Sequence, residues 1–229
     1  MLKNGDLISA SMSSGNLTVW DTNNWTIKKV LVGFSMSLSI QFSNGDLALI
    51  KGPYIFILNT TDWTSKLNLT LSNLASSLYS VVAINNDDIV SSSTEKIVRV
   101  WNSTSGILKE EYSVQSNQTL LAVLKNGNLA FSSLGFSISI YDTTTKINRL
   151  SLNNEINVTS IEVLGNGDLV SGGIDGLIRI FDVNTGLLKF VLGRNLNSGS
   201  VRAIKAFQNG DFAVASDDNK IRIWKYYYY

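Results

Sequence analysis

The chain contains no histidine and no cysteine. Without imidazole or thiolate, disulfides, thiol nucleophiles, imidazole bases and the common zinc ligands are excluded, and a serine nucleophile would need a lysine as its base. A dominant charge is missing as well: 19 basic and 18 acidic residues among 229 leave a formal +1. No overall field would draw a phosphate backbone or an anionic membrane, so neither nucleic acid nor membrane is an expected partner. The longest stretch without charge, residues 67–86, is broken by Asn68, Thr70, Ser72, Asn73 and further polar residues, so no segment reads as a transmembrane helix. Residues 1–9 lack the apolar core of an export signal. Seven Asn-x-Ser/Thr sites occur, against about five expected by chance in so Asn- and Ser-rich a chain, and they carry little weight for secretion. No window shows a 3.6-residue apolar period with caps.

What the chain does contain is a repeat. A short block recurs as Asn4-Gly5-Asp6-Leu7, Asn44-Gly45-Asp46-Leu47, Asn86-Asp87-Asp88-Ile89, Asn126-Gly127-Asn128-Leu129, Asn166-Gly167-Asp168-Leu169 and Asn209-Gly210-Asp211-Phe212, at steps of 40 to 43 residues. A large apolar residue stands two places before each Asn: Leu2, Phe42, Ile84, Leu124, Leu164 and Phe207. Asn-Gly between apolar residues predicts a β-hairpin with a two-residue type I′ turn, in which both central residues take positive φ. Asp87 replaces Gly in the third copy, where local strain or a longer turn is expected. Each copy continues to a second apolar run, such as Val98 to Trp101, Ile178 to Phe181 and Ile221 to Trp224. In five copies a polar turn and a further run follow, which makes four short strands per complete copy.

Residues 169–182, reading Leu-Val-Ser-Gly-Gly-Ile-Asp-Gly-Leu-Ile-Arg-Ile-Phe-Asp, resemble the core of a WD repeat, and residues 212–224 do so too. The period of about 40 residues agrees. The resemblance is strong in the third, fifth and sixth copies and weak in the second and fourth, and only Trp20-Asp21 keeps the Trp-Asp dipeptide. It implies one all-β domain over residues 1–229. The expected form is a β-propeller of about six four-stranded antiparallel blades, with a first blade short of its inner strand and a last blade short of its outer one. The family's Gly-His dipeptide and its buried Asp, His, Ser/Thr, Trp network cannot form here, so the blades are expected to lean on strand pairing and apolar packing. Asp175 and Asp218 match the family's tight-turn Asp and Glu95 approximates it.

The resemblance also implies an interaction scaffold without catalysis, cofactor or metal, holding a protein or peptide through loops on a propeller face. Large apolar residues near loop tips are the candidates, because exposed apolar patches mark contact surfaces. Met12, Phe34, Tyr54 and Phe136 are expected on or near one face, and Trp25 and Trp63 on the other. Arg99, Arg179 and Arg222 share one strand position, which points to a common packing environment. Most acids fall at turn positions, where turn chemistry accounts for them. The loop from Asp182 lacks the twelfth-position Glu of a calcium loop, since Gly193 stands there. Two other readings remain: a carboxylate-based glycosidase or lyase on a propeller scaffold, and a repeat fragment without independent function. The unmatched terminal copies also predict self-association through the sixth blade.

Overall fold

Six blocks of alternating apolar residues become six antiparallel sheets in a computed structural model that describes residues 2–10, 15–33, 39–84, 88–133, 136–193 and 199–226. No α-helix occurs among the described residues. The chain divides into two compact units, Met1–Ser113 and Val114–Tyr229.

In the first unit, β1 (Leu7–Ala10), β2 (Asn16–Asp21) and β3 (Thr26–Val32) form a three-stranded sheet. Next come two four-stranded meanders. One is β4 (Ser39–Gln41), β5 (Leu47–Lys51), β6 (Tyr54–Leu58) and β7 (Ser65–Thr70); the other is β8 (Leu78–Ala83), β9 (Ile89–Ser93), β10 (Ile97–Trp101) and β11 (Leu108–Ser113). The second unit opens with β12 (Leu121–Val123), β13 (Leu129–Ser133), β14 (Ser137–Asp142) and β15 (Ile147–Asn153). It continues with β16 (Val158–Val163), β17 (Leu169–Gly173), β18 (Ile178–Phe181) and β19 (Leu188–Leu192), and ends on the three-stranded sheet β20 (Val201–Ala206), β21 (Phe212–Ser216) and β22 (Ile221–Trp224). Among the described residues, the first and last sheets therefore have three strands and the other four have four, in the pattern that the repeat predicts.

Period-two alternation decides the packing. In β18, Ile178 and Ile180 turn toward Val201, Ile204, Phe212 and Val214 of the following sheet and are buried with them. Each such side chain, fully buried, contributes roughly 1.5–3 kcal/mol. The strands β9 and β17 are buried along their whole length, because both faces of an inner strand meet apolar neighbours. The outer strands β3 and β11 are largely exposed and carry lysines on their surface. Four apolar clusters result, two within each unit. A bulge recurs at one place between third and fourth strands, at Val19/Trp20, Ile57/Leu58, Val100/Trp101, Ile140/Tyr141 and Ile180/Phe181.

The hairpin turn differs from the expected type I′. In the first copy Gly5 N donates to Leu2 O at 2.9 Å and Leu2 N donates to Asp6 O at 2.7 Å, so three residues lie in the loop. Only the glycine takes positive φ, with values of 82° to 97° at Gly5, Gly45, Gly127, Gly167 and Gly210. This is the longer turn closed by a left-handed glycine and a one-residue bulge. Asn stays at negative φ because its side chain has another task. Asn4 Oδ1 accepts from Asp6 N and Asn4 Nδ2 donates to Asp6 Oδ2 at 2.9 Å. Asn86 and Asp87, where strain is expected, lie outside the described residues.

Candidate functional site

In four copies the Asp of the repeated turn is buried, and it is there that the polar chemistry of the blades concentrates. Asp6, Asp46, Asp88 and Asp168 each meet a lysine from the outermost strand of the same sheet: Lys28 at 2.9 Å, Lys66 at 2.7 Å, Lys109 at 2.5 Å and Lys189 at 2.8 Å. The pair ties the first hairpin of a blade to its last strand. Hydrogen bonding to Asp6 and to Asp168 holds the Lys28 and Lys189 ammonium groups above their ordinary range. In the fifth copy a third group joins: Tyr226 donates its hydroxyl to Asp168 at 3.1 Å, and its ring stands edge-on to Phe190 at 5.8 Å. Burial, followed by that hydrogen bond, pushes the Tyr226 phenol up. The sequence placed these acids correctly at turns but did not reveal the lysines, which lie 20 to 22 residues downstream.

The acids that open the next turn behave differently. Asp142 and Asp182 each accept two backbone N–H groups of their own turn, which hold both carboxyls below the usual range. This is turn chemistry, and no group of ligands suited to a metal ion occurs among the described residues.

The three arginines at one strand position share more than a packing environment. Each pairs with the acid four residues earlier in the tight turn: Arg99 with Glu95 at 2.5 Å, Arg179 with Asp175 at 2.9 Å and Arg222 with Asp218 at 2.5 Å. Arg99 is buried and also donates to Glu111 and Ser72. Such burial is tolerated only because its donors are satisfied. Hydrogen bonding inside the blades also survives the loss of histidine, so strand pairing and apolar packing are not the whole account. Trp20 Nε1 donates to Ser9 at 2.8 Å and Trp101 Nε1 to Ser91 at 2.9 Å. In the fifth copy Ser171 bonds instead to Asn154, which is fully buried. Gly172 and Gly173 act by their size: a Cβ on Gly172 would lie 2.3 Å from Val201 Cγ1.

Of the apolar candidates, Met12 and Phe34 lie outside the described residues. Tyr54 is the first residue of β6 rather than a loop tip, half-buried with its ring 6.0 Å from Phe56. Trp63 packs against the cluster of Leu2, Leu17, Val19, Leu47, Leu49 and Leu58. Trp25 and Phe136 are the exposed ones, at 66% and 43%. Both hold positive φ, 58° and 67°. Tyr54, Trp25 and Trp63 belong to the first unit and Phe136 to the second.

Two segments, residues 145–182 and 189–225, match the family model described as WD domain, G-beta repeat. Each match runs from the outermost strand of one sheet through three strands of the next, β15 to β18 and β19 to β22. These are the copies that keep Asp175 and Asp218. No curated protein matches the chain by sequence. Among solved structures, the WD40 β-propeller domain of Doa1 superposes with a TM-score of 0.80 at 21% identity, over 96% of this chain and 75% of that one. WD40 propellers generally serve as protein-interaction scaffolds. Residues 145–182 and 189–225 are thus WD repeats, and the chain, with its six small antiparallel sheets, has the β-propeller fold that it shares with the Doa1 domain.

Proposed function

We propose that this chain is a non-catalytic scaffold that holds a protein or peptide through the turns at the ends of its strands. One observation carries the reading: bulky aromatic residues occupy left-handed turn positions where other copies use small or flexible ones. At the turn between third and fourth strands, the residue whose N–H closes the turn is Gly106, Lys146 or Gly186 in three copies and Trp25 or Trp63 in two. At the turn between second and third strands the left-handed residue is Gly15, Gly52, Lys96, Gly176 or Asn219 in five copies and Phe136 in one. Left-handed backbone costs an ordinary side chain about 1–2 kcal/mol. Trp63 offsets that by packing on an apolar cluster, whereas Trp25 and Phe136 are exposed and belong to none of the apolar clusters among the described residues. Strain kept without internal return is characteristic of binding sites, and aromatics dominate contact energies.

Replacing Trp25 and Phe136 by glycine tests it. The W25G/F136G chain is expected to unfold at equal or higher urea concentration, since glycine suits both backbones, while the yield of co-purified partner falls. Unchanged partner recovery with an intact fold would remove these turns from the function.

The glycosidase alternative gains no support from the buried turn acids, because each of Asp6, Asp46, Asp88 and Asp168 is engaged by a lysine. Self-association belongs to the same proposal: the third strand of the last sheet, β22, offers an edge and an apolar face to a second copy.

A further inference from the structure

The fourth copy breaks the acid–lysine rule of its neighbours at both positions. Where the others place Asp in the hairpin turn it has Asn128, and where they place Lys on the outer strand it has Arg149. In the fifth copy Lys189 faces two carboxylates, Asp168 at 2.8 Å and Asp182 at 3.6 Å. Among the described residues Arg149 pairs only with the counterpart of the second, Asp142, at 3.9 Å. One negative charge that the fold supplies to Lys189 is therefore absent beside Arg149.

A cavity of about 60 Å³ opens at this place, inside the second unit. Asn126, Asn128, Asn184 and Arg149 form its polar wall, and Leu150 and Val183 lie on its apolar side. At the matching place in the fifth copy stands Tyr226. Tyr226 stands two residues after Trp224 as Val183 stands two after Phe181, and its phenol reaches Asp168 while its ring covers Phe190. Valine is too short to do the same in the fourth copy. A single ordered water needs about 10–15 Å³ on this measure, so the cavity has room for a carboxylate and a methylene or two.

We infer that this cavity binds a carboxylate, presented either by an acidic side chain of a peptide or by a small free acid. The guanidinium fork of Arg149 matches a carboxylate in two parallel hydrogen bonds. Asparagine amides add N–H donors that need no counter-charge. The incoming group restores the charge that Asp168 supplies in the fifth copy. The site uses none of the exposed aromatic turns, and a free acid tests it without any protein partner, so its failure and that of the scaffold reading are separate events.

The experiment is a ¹H–¹⁵N titration of the whole chain with glutarate, with the capped peptide acetyl-Gly-Glu-Gly-amide, and with its Gln counterpart. Saturable shifts confined to the side-chain signals of Asn126, Asn128, Asn184 and Arg149 are expected with glutarate, the Glu peptide or both, and none with the Gln peptide. Tighter binding of the peptide assigns the site to a partner's acidic side chain; tighter binding of glutarate assigns it to a small acid. R149A is expected to weaken binding at least about tenfold and R149K less. V183Y should close the cavity. N128D should supply the missing charge internally and weaken binding in turn. The proposal is overturned by an absence of saturable shifts up to about 50 mM, or by unchanged affinity in R149A with the backbone spectrum intact.

Discussion

Trp20 and Trp101 make the same hydrogen bond, to Ser9 and Ser91, yet the two bonds are not equivalent. Trp101 and Ser91 are buried, whereas Trp20 is half-buried and Ser9 is exposed. Water can replace Ser9 but cannot reach the indole of Trp101. The S91A variant is therefore expected to lose about 1–3 kcal/mol, the cost of a buried donor left without a partner, and S9A within about 0.5 kcal/mol. Urea denaturation of both variants measures the difference, and equal losses would show that burial does not set the cost. Trp224 illustrates the unpartnered state: Val214 occupies the serine position, and the buried Trp224 Nε1 has no partner among the described residues. None of this was legible in the sequence, because the zero count of histidine directed attention to the network's missing member. The pairing of Trp with Ser depends on two residues being neighbours across β9 and β10, which emerges only with the register.

At the scale of the element, the hairpin was legible and its staple was not. Asn-Gly between apolar residues fixes a turn locally, and the spacing of six such turns fixes the blades. The lysine that meets each buried Asp lies two strands away, beyond a bulge that shifts the register of the outer strand. No local pattern encodes that contact. The fourth copy shows what the staple tolerates, since Asn128 stands there in the place of Asp. For the Asp46–Lys66 pair, D46N is thus expected to cost within about 1 kcal/mol, because a neutral amide needs no cation. K66M should cost about 1–3 kcal/mol, since it leaves a buried carboxylate with only Asn44 to answer it. Urea midpoints at neutral pH should rank the variants in that order, and the reverse order would show that the lysine contributes little. The pH dependence of the wild-type chain follows from the same groups. Asp142 and Asp182 are held low, so their stabilisation is present above the ordinary carboxylate value of 3.8 and is lost as pH falls through their lowered values. Lys28 and Lys189 are held high, so theirs is present below 10.5 and is lost as pH rises past it. With no histidine to titrate in between, the urea midpoint is expected to be flat from about pH 5 to 9.

For the molecule as a whole, the repeat carried the fold from sequence to structure, including the three-stranded first and last sheets, because the same strand-turn-strand unit is written six times. The candidate surface was less legible: exposure of an aromatic depends on whether a neighbouring element covers it, and Trp25 and Trp63 differ only in that. The same reasoning applies to the last sheet. Ile178 and Ile180 of β18 are 2% and 0% exposed, whereas Ile221 and Ile223, at the same positions of β22, are 74% and 57% exposed. Identical side chains on equivalent strands thus sit in opposite environments: those of β18 meet the following sheet, and no described element of the second unit follows β22. Together with Ala213 and Ala215, their cross-strand partners, these isoleucines form an apolar face on a strand that pairs on one side only among the described residues. Such a face favours association with a second β-surface. Sedimentation velocity over a concentration series is expected to show reversible self-association. The I221K/I223K variant should remain monomeric without loss of stability, since neither side chain is buried in the isolated chain. A wild-type chain that stays monomeric throughout the series would exclude this face as a contact, and association that persists in the double variant would place the contact elsewhere.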